Sequence, residues 1–133
     1  MRLVPAPAFT EVDLTGSADE LHRLADAVAT GEARLSASPA PDDDVALLGI
    51  EVRTSPGPGV LVRLDPERRI LLISGDQAGR TVLAENLRGI ASAADGGHLH
   101  LDYFPGHFYL AEGSVPLVVN SPHGGMPTRR AAG

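Results

Sequence analysis

Polar and apolar residues alternate along parts of the chain in a way that predicts short β-strands. The alternation is strict from residue 98 to residue 103, and successive side chains of a strand point to opposite faces. The apolar members of this strand, which we expect to be buried, are Leu99, Leu101 and Tyr103. The polar members, which should point away from the main core, are His98, His100 and Asp102.

Two other segments have apolar residues at helical spacing. Ser17 and Glu20 form a capping box ahead of a leucine-rich stretch, and Gly31 suits the left-handed residue that ends a helix. They predict a helix from about Ala18 to Thr30. A second helix opens at Gly75-Asp76-Gln77, and its predicted buried stripe is Val82, Leu83, Leu87, Ile90, Ala91 and Ala94.

Strands are also predicted between and around the helices. Their ranges are Phe9–Leu14, Val45–Arg53, Val60–Leu64, Arg69–Ser74 and Val115–Asn120. Short Pro- and Gly-containing turns join the middle three, which favours an antiparallel meander. The fold class is therefore α+β: a two-layer sandwich of one mostly antiparallel sheet, with five or six strands, and two helices on one face. No internal repeat is visible.

The length of 133 residues fits one domain. We expect this domain to cover residues 1–120 and to be followed by a flexible C-terminal tail at 121–133. The segment 36–44 should be a mobile loop. Both segments are poor in apolar residues that offset the loss of chain entropy on ordering.

Composition excludes several classes of function. The chain has 17 acidic and 11 basic residues, so its formal net charge is −6, which argues against a protein held on nucleic acid by phosphate contacts. It has no cysteine, which excludes disulfides, thiolate metal sites and cysteine nucleophiles. All of its basic residues are arginine, so lysine Schiff-base chemistry and the phosphate-loop lysine are also excluded.

The hydropathy pattern gives no membrane segment. No apolar run approaches the roughly 20 residues that a membrane-spanning helix needs, and Met1–Pro5 lacks the apolar core of a signal peptide. We therefore expect a cytoplasmic protein without a membrane partner.

The histidine strand is a candidate metal site. His98, His100 and Asp102 could form a two-histidine, one-carboxylate site, with His107 or His123 as a further ligand. The same pattern is equally typical of the exposed polar face of a half-covered sheet. We expect no metal and no cofactor, and the sequence favours a binding protein over an enzyme.

Four aromatic residues surround a Pro-Gly turn: Tyr103, Phe104, Phe108 and Tyr109. They are either core residues or anchors for a protein partner, because aromatic side chains bury large areas at low entropic cost. The predicted partner-binding residues are Asp102, His107, Phe108, Tyr109 and Glu112.

The segment G-H-L-H-L-D-Y-F-P-G-H-F-Y-L-A-E-G-S-V-P-L-V-V, residues 97–119, resembles the C-terminal signature of the immunity protein 32 family of bacterial polymorphic toxin systems. The apolar helix Val82–Ala94 and the early Gly16-Ser17 look similar too. The family's His-x-His-x-acid and Ser-x-x-Leu positions correspond to His98, His100, Asp102, Ser114 and Leu117.

This resemblance implies a small cytosolic α+β protein that binds a co-encoded toxin and blocks it without catalysis. The net charge of −6 suits a basic partner. It supplies no catalytic residues. The alternative interpretation is a small metal-dependent enzyme, or an accessory protein of a biosynthetic cluster, that uses His98, His100 and Asp102.

Overall fold

The structure is a computed structural model that describes residues 1–5, 11–37, 47–92, 97–107 and 109–121. The predicted loop at 36–44 and the predicted tail fall mostly outside these residues. Ser36 belongs to a strand, and the buried Ser121 donates its amide to the Gly97 carbonyl at 3.0 Å.

Eight strands and two helices make up the described part of the chain. In order they are β1 (Arg2–Pro5), β2 (Val12–Thr15), α1 (Ala18–Thr30), β3 (Ala33–Ser36), β4 (Gly49–Thr54), β5 (Val60–Asp65), β6 (Ile70–Gly75), α2 (Gln77–Ala91), β7 (His98–Leu101) and β8 (Leu117–Asn120). Neither helix is long and apolar enough to cross a membrane.

The strands form two four-stranded sheets. The first sheet has the order β1-β2-β8-β7 and the second has the order β3-β4-β6-β5. The α+β class is thus confirmed, but the prediction of a single sheet is wrong. The meander is wrong as well, because β6 lies between β4 and β5 and pairs with β4 in parallel. The sequence pattern missed β1 and β3, which have only four residues each.

The two sheets are built by exchange between two similar units of the chain. Each unit runs strand, strand, helix, strand, strand, and its first two strands join the last two strands of the other unit. The second strands of the antiparallel pairs meet in parallel, β2 with β8 and β4 with β6. The topology therefore has an internal two-fold relation that maps β1 onto β5 and α1 onto α2.

The two units also share weak sequence similarity when residues fifty-nine positions apart are compared. Identical pairs at that offset are Gly16 and Gly75, Leu24 and Leu83, and Ala25 and Ala84. Similar pairs are Leu14 and Ile73, Ser17 and Asp76, Asp26 and Glu85, and Val28 and Leu87. Apart from the exposed pair Asp26 and Glu85, these residues lie at the strand end, the helix cap and the buried helix face, so the repeat becomes visible only once the topology gives the alignment.

Hydrogen bonds also link the two sheets at equivalent places. Leu47, which lies just before β4, donates its amide to the Leu3 carbonyl of β1 at 2.9 Å. Ahead of β8, Val115 donates to the Val62 carbonyl of β5 at 2.8 Å. Each sheet keeps one face in a shared hydrophobic core with the helices, and its other face is turned outward.

Helix α1 has the predicted ends. The Ser17 hydroxyl accepts from the Glu20 amide at 3.1 Å, and the Glu20 carboxylate accepts from the Ser17 amide at 2.9 Å. Gly31 ends the helix with φ of +97°. In α2, Leu83, Leu87 and Ala91 of the predicted stripe are buried. Val82 and Ile90 are half-buried, and Ala94 lies outside the described residues.

A buried arginine connects the helices. Arg80 of α2 is 6% exposed and donates to the Gly75 carbonyl at the end of β6. It also donates to the carbonyls of Val28 and Ala29, each at 3.0 Å. The last turn of α1 has no basic residue of its own, so Arg80 satisfies its free carbonyls and complements the negative end of its dipole.

Asp76 caps the N-terminus of α2. One carboxylate oxygen accepts from the Gly79 amide at 2.8 Å, and the second accepts from the Gly59 amide at 3.1 Å. These two amides hold the pKa of the Asp76 carboxyl below its usual value. The helix start is therefore fixed to the turn before β5.

We expect Arg80→Met to lower the free energy of unfolding by about 3 kcal/mol, because three backbone carbonyls, two of them in buried bonds, lose a charged donor. Urea denaturation measures this change. Arg88→Met is the matched control on the same helix, because Arg88 makes only an exposed ion pair with Asp26, and it should cost less than about 1 kcal/mol. Equal losses for the two variants would contradict the role given to Arg80.

Acid should weaken the fold through Asp76. Because the folded pKa lies below the ordinary value, the ionised carboxyl contributes its full stability above about pH 4, and that contribution is lost as the pH falls toward the folded pKa. Asp76→Asn should flatten the fall in melting temperature below about pH 4. Glu85→Gln, which removes an exposed carboxylate from the same helix, is the control and should leave the slope unchanged.

Candidate functional site

The link between β7 and β8 leaves the first sheet and runs along the edge of the second. Although β7 and β8 are antiparallel neighbours, the chain between them extends to β5 and back. The Val60 amide donates to the Tyr109 carbonyl, and the Ala111 amide donates to the Val60 carbonyl, both at 2.7 Å. This link places the aromatic segment beside the turn that precedes β5.

An open cleft of about 410 Å³ lies between the link and that turn. One wall is Gly57–Gly59, and the other is formed by Tyr103, His107 and Tyr109–Glu112. We call it the aromatic cleft. Both of its walls depend on hydrogen bonds to β5 or to the N-terminus of α2, so the cleft is attached to the ordered core.

The His107 ring fixes the turn that forms one wall. Its Nδ1 accepts the backbone amides of Tyr109 at 3.2 Å and Leu110 at 3.0 Å. The Nδ1 lone pair of His107 is therefore the acceptor that caps the turn. The pattern of residues along the chain does not reveal this capping role.

Three rings form a row from solvent into the core. The His107 ring centroid lies 4.8 Å from that of Phe104 and 4.8 Å from that of Tyr109. Phe104 is 57% exposed, whereas Tyr109 is only 6% exposed. The outer end of the row is therefore an apolar side chain on the surface, which is a typical anchor for a protein partner.

Tyr109 lies on the floor of the cleft. Its hydroxyl accepts a hydrogen bond from the Asn86 side chain of α2 at 3.1 Å. Burial raises the pKa of the Tyr109 phenol, and the bond from Asn86 offsets only part of this effect, so the hydroxyl stays protonated. The Tyr109 side chain therefore joins the link to α2, and little of it faces solvent.

The opposite wall requires glycine at residue 59. Gly59 has φ of +81°, and a Cβ there would approach the Tyr109 carbonyl oxygen to 2.7 Å. Any side chain at this position would separate the turn from the link. The sequence identified the Pro-Gly turn, but its partner across the cleft is a long-range contact that local pattern does not show.

The predicted partner-binding residues are only partly brought together. His107, Tyr109 and Glu112 line the aromatic cleft. Asp102 is exposed but does not line it, and Phe108 lies outside the described residues. Phe104 was recognised as part of the aromatic cluster but not chosen as a contact, and its exposure follows from its place at the tip of the link.

The histidine strand has the predicted alternation. His98, His100 and Asp102 are exposed and Leu101 is buried, while Leu99 and Tyr103 are half-buried. On the outer face of the first sheet, His98 Nδ1 lies 2.7 Å from the side-chain oxygen of Asn120. The Asn120 amide in turn donates to the Asp13 carboxylate.

This arrangement forms a polar network across β2, β8 and β7. Within the described residues, no group of three or more histidine, aspartate or glutamate side chains is placed to hold one metal ion. The alternative metal site therefore gains no geometric support, and His98 directs one ring nitrogen into the sheet network.

Ser114, one of the two residues at the Ser-x-x-Leu positions of the resemblance, holds the link in place. The Ser114 hydroxyl accepts the Val62 amide at 3.1 Å and donates to the Val60 carbonyl at 3.4 Å. Leu117 is buried in the core. Both therefore shape the fold that carries the cleft.

No curated protein and no solved structure matches the chain. The model of one protein family does match, over residues 70–122. This stretch contains β6, α2, β7, the link and β8, so it includes one wall of the aromatic cleft and the helix that supports it. The resemblance found in the sequence is thereby confirmed: residues 70–122 match the immunity protein 32 family.

Proposed function

We propose that this chain neutralises a protein toxin by binding it at the aromatic cleft. The observation that carries the proposal is the family match, which includes the whole link from Asp102 to Pro116. Family membership in this region suggests an immunity function, and the cleft is the concave surface that the matched region builds with the turn before β5. We further propose that the encounter takes place in the cytoplasm.

The surface around the cleft suits a basic partner. Phe104 supplies an exposed apolar anchor next to the His107 ring, and Asp102 and Glu112 are exposed carboxylates on the same link. The net charge of −6 favours the approach of a positively charged protein and penalises acidic ones. A toxin that acts on nucleic acid is a positively charged protein of this kind.

Preorganisation supports affinity at this site. His107 fixes the turn, Ser114 fixes the link to β5, and Asp76 fixes the opposite wall. A surface whose backbone is already held loses little entropy on binding. Inhibition by occlusion needs no catalytic group on this chain.

The direct test is co-expression with the toxin-like product of the adjacent gene. We expect the chain to restore growth of cells that produce this product and to form a complex with it in calorimetry. If no toxin-like neighbour exists, or if the purified pair does not associate and growth is not restored, the proposed function is wrong.

Within such a complex, Phe104→Ala should weaken binding by about 2 kcal/mol or more, as expected for a central aromatic anchor. Leu48→Ala is a matched control. Leu48 is also a large exposed apolar residue, but it lies near the start of β6, whereas the cleft lies near the end of β6. Calorimetry on folded variants should show an effect of Phe104→Ala alone, and unchanged affinity would place the interface elsewhere.

A further inference from the structure

We propose that the outer face of the second sheet is a separate docking surface for an acidic, partly apolar segment of a partner protein. We call it the basic face and define it by Arg34, Glu51, Arg53, Arg63 and Arg68. It goes beyond the proposed function, since it lies outside the aromatic cleft and has the opposite charge.

The geometry follows from the register of the sheet. Arg34, Glu51, Leu72 and Arg63 form one row across the four strands. Their neighbours along the strands, Ile50 and Ile73 among them, point into the core. The row therefore lies on the outward face of the sheet.

A buried carboxylate organises the arginines. The side chain of Glu51 is 8% exposed and lies 2.6 Å from Arg53, 2.5 Å from Arg68 and 4.0 Å from Arg34. Arg68 also bonds Asp65 at 3.0 Å. The hydrogen bond from Arg53 and the surrounding guanidinium charges outweigh desolvation and hold the pKa of the Glu51 carboxyl below its usual value.

Among the residues that the structure describes, the charge that this face shows to solvent is positive. The side chains of Arg34, Arg53 and Arg68 are 79%, 52% and 44% exposed, whereas Glu51 is covered. Arg63 is exposed and bonds none of the described residues. At the rim, Glu32 is bound to Thr54. On a chain of net charge −6, this is a local reversal of sign.

The fold itself does not require these charges. In the equivalent row of the first sheet, His100, Val118, Asp13 and Val4 occupy the places of Arg34, Glu51, Leu72 and Arg63. A half-buried valine therefore fits where the second sheet has its buried carboxylate. The charged row is a property of this surface, and strand pairing is possible without it.

The basic face also has an apolar groove. A cleft of about 280 Å³ is lined by Arg34, Leu48, Gly49, Arg68 and Ile70, with Glu51 beside them. Leu48 is 46% exposed. Arginines over an apolar floor match a segment in which carboxylates alternate with apolar side chains, because guanidinium groups bind carboxylates with two parallel hydrogen bonds.

Charge decides between possible occupants. A second copy that presents the same face would place like charges together, which is unfavourable. A nucleic acid has no apolar side chains for the groove beside Leu48. An acidic peptide satisfies both the arginines and Leu48.

The test uses fluorescence anisotropy with the intact chain and a short labelled peptide in which aspartate alternates with leucine. We expect saturable binding that weakens as salt is added, and no binding of the matched peptide with lysine in place of aspartate. Arg34→Gln combined with Arg63→Gln should weaken binding about tenfold or more. Both arginines are exposed, so the fold should be retained.

Two controls separate this surface from the rest of the molecule. Arg23→Gln combined with Arg88→Gln makes the same change of net charge on the helices and should leave the affinity unchanged. Phe104→Ala should also leave it unchanged, which distinguishes this result from any failure at the aromatic cleft. Absence of binding, equal loss with the helix variants, tighter binding of a single-stranded oligonucleotide, or self-association that the Arg34 and Arg63 changes abolish would each overturn the proposal.

Discussion

The structure depends on one buried charge. Arg80 has three backbone carbonyls as partners, at the end of β6 and at the end of α1. A guanidinium buried in this way is tolerated because its donors are satisfied and because helix carbonyls carry partial negative charge. It joins the two units at the point where their helices pack, and Gly31 leaves the space that the guanidinium occupies. The exchange of strands between the units is built around this junction.

The sequence predicted the elements of this fold better than their arrangement. Local signals place α1 and the start of α2, since the capping residues Ser17 and Asp76 act within one turn. The pairing of β4 with β6 is non-local, and a strand with alternating residues fits an antiparallel or a parallel neighbour equally well. Short strands such as β1 and β3 carry too few residues for a period to be recognised. The class could be predicted, whereas the two sheets could not.

The same division applies to the site. Alternation correctly placed His98 and His100 on an outward face, because that is a local property of a strand. The burial of Tyr109 depends on Asn86 and on the approach of Gly59, which are distant in sequence. Glu51 was read as one member of a strand, since nothing near it in sequence shows that Arg34 and Arg68 converge on it. What a surface can bind depends on side chains that are distant in sequence and converge in space. The local pattern of residues does not show this convergence.

The aromatic cleft and the basic face carry charges of opposite sign. The aromatic cleft has the exposed Glu112 in its lining, and Asp102 is exposed on the same link. The basic face instead covers Glu51 and exposes its arginines. The aromatic cleft and the groove of the basic face lie at opposite ends of β6, because Gly75 pairs with Val60 beside the cleft and Ile70 pairs with Gly49 beside the groove. A strand of six residues spans about 20 Å, roughly twice the screening length at physiological salt. The charges at the groove and at the cleft are therefore largely screened from each other, which lets an acidic chain carry both of the proposed surfaces.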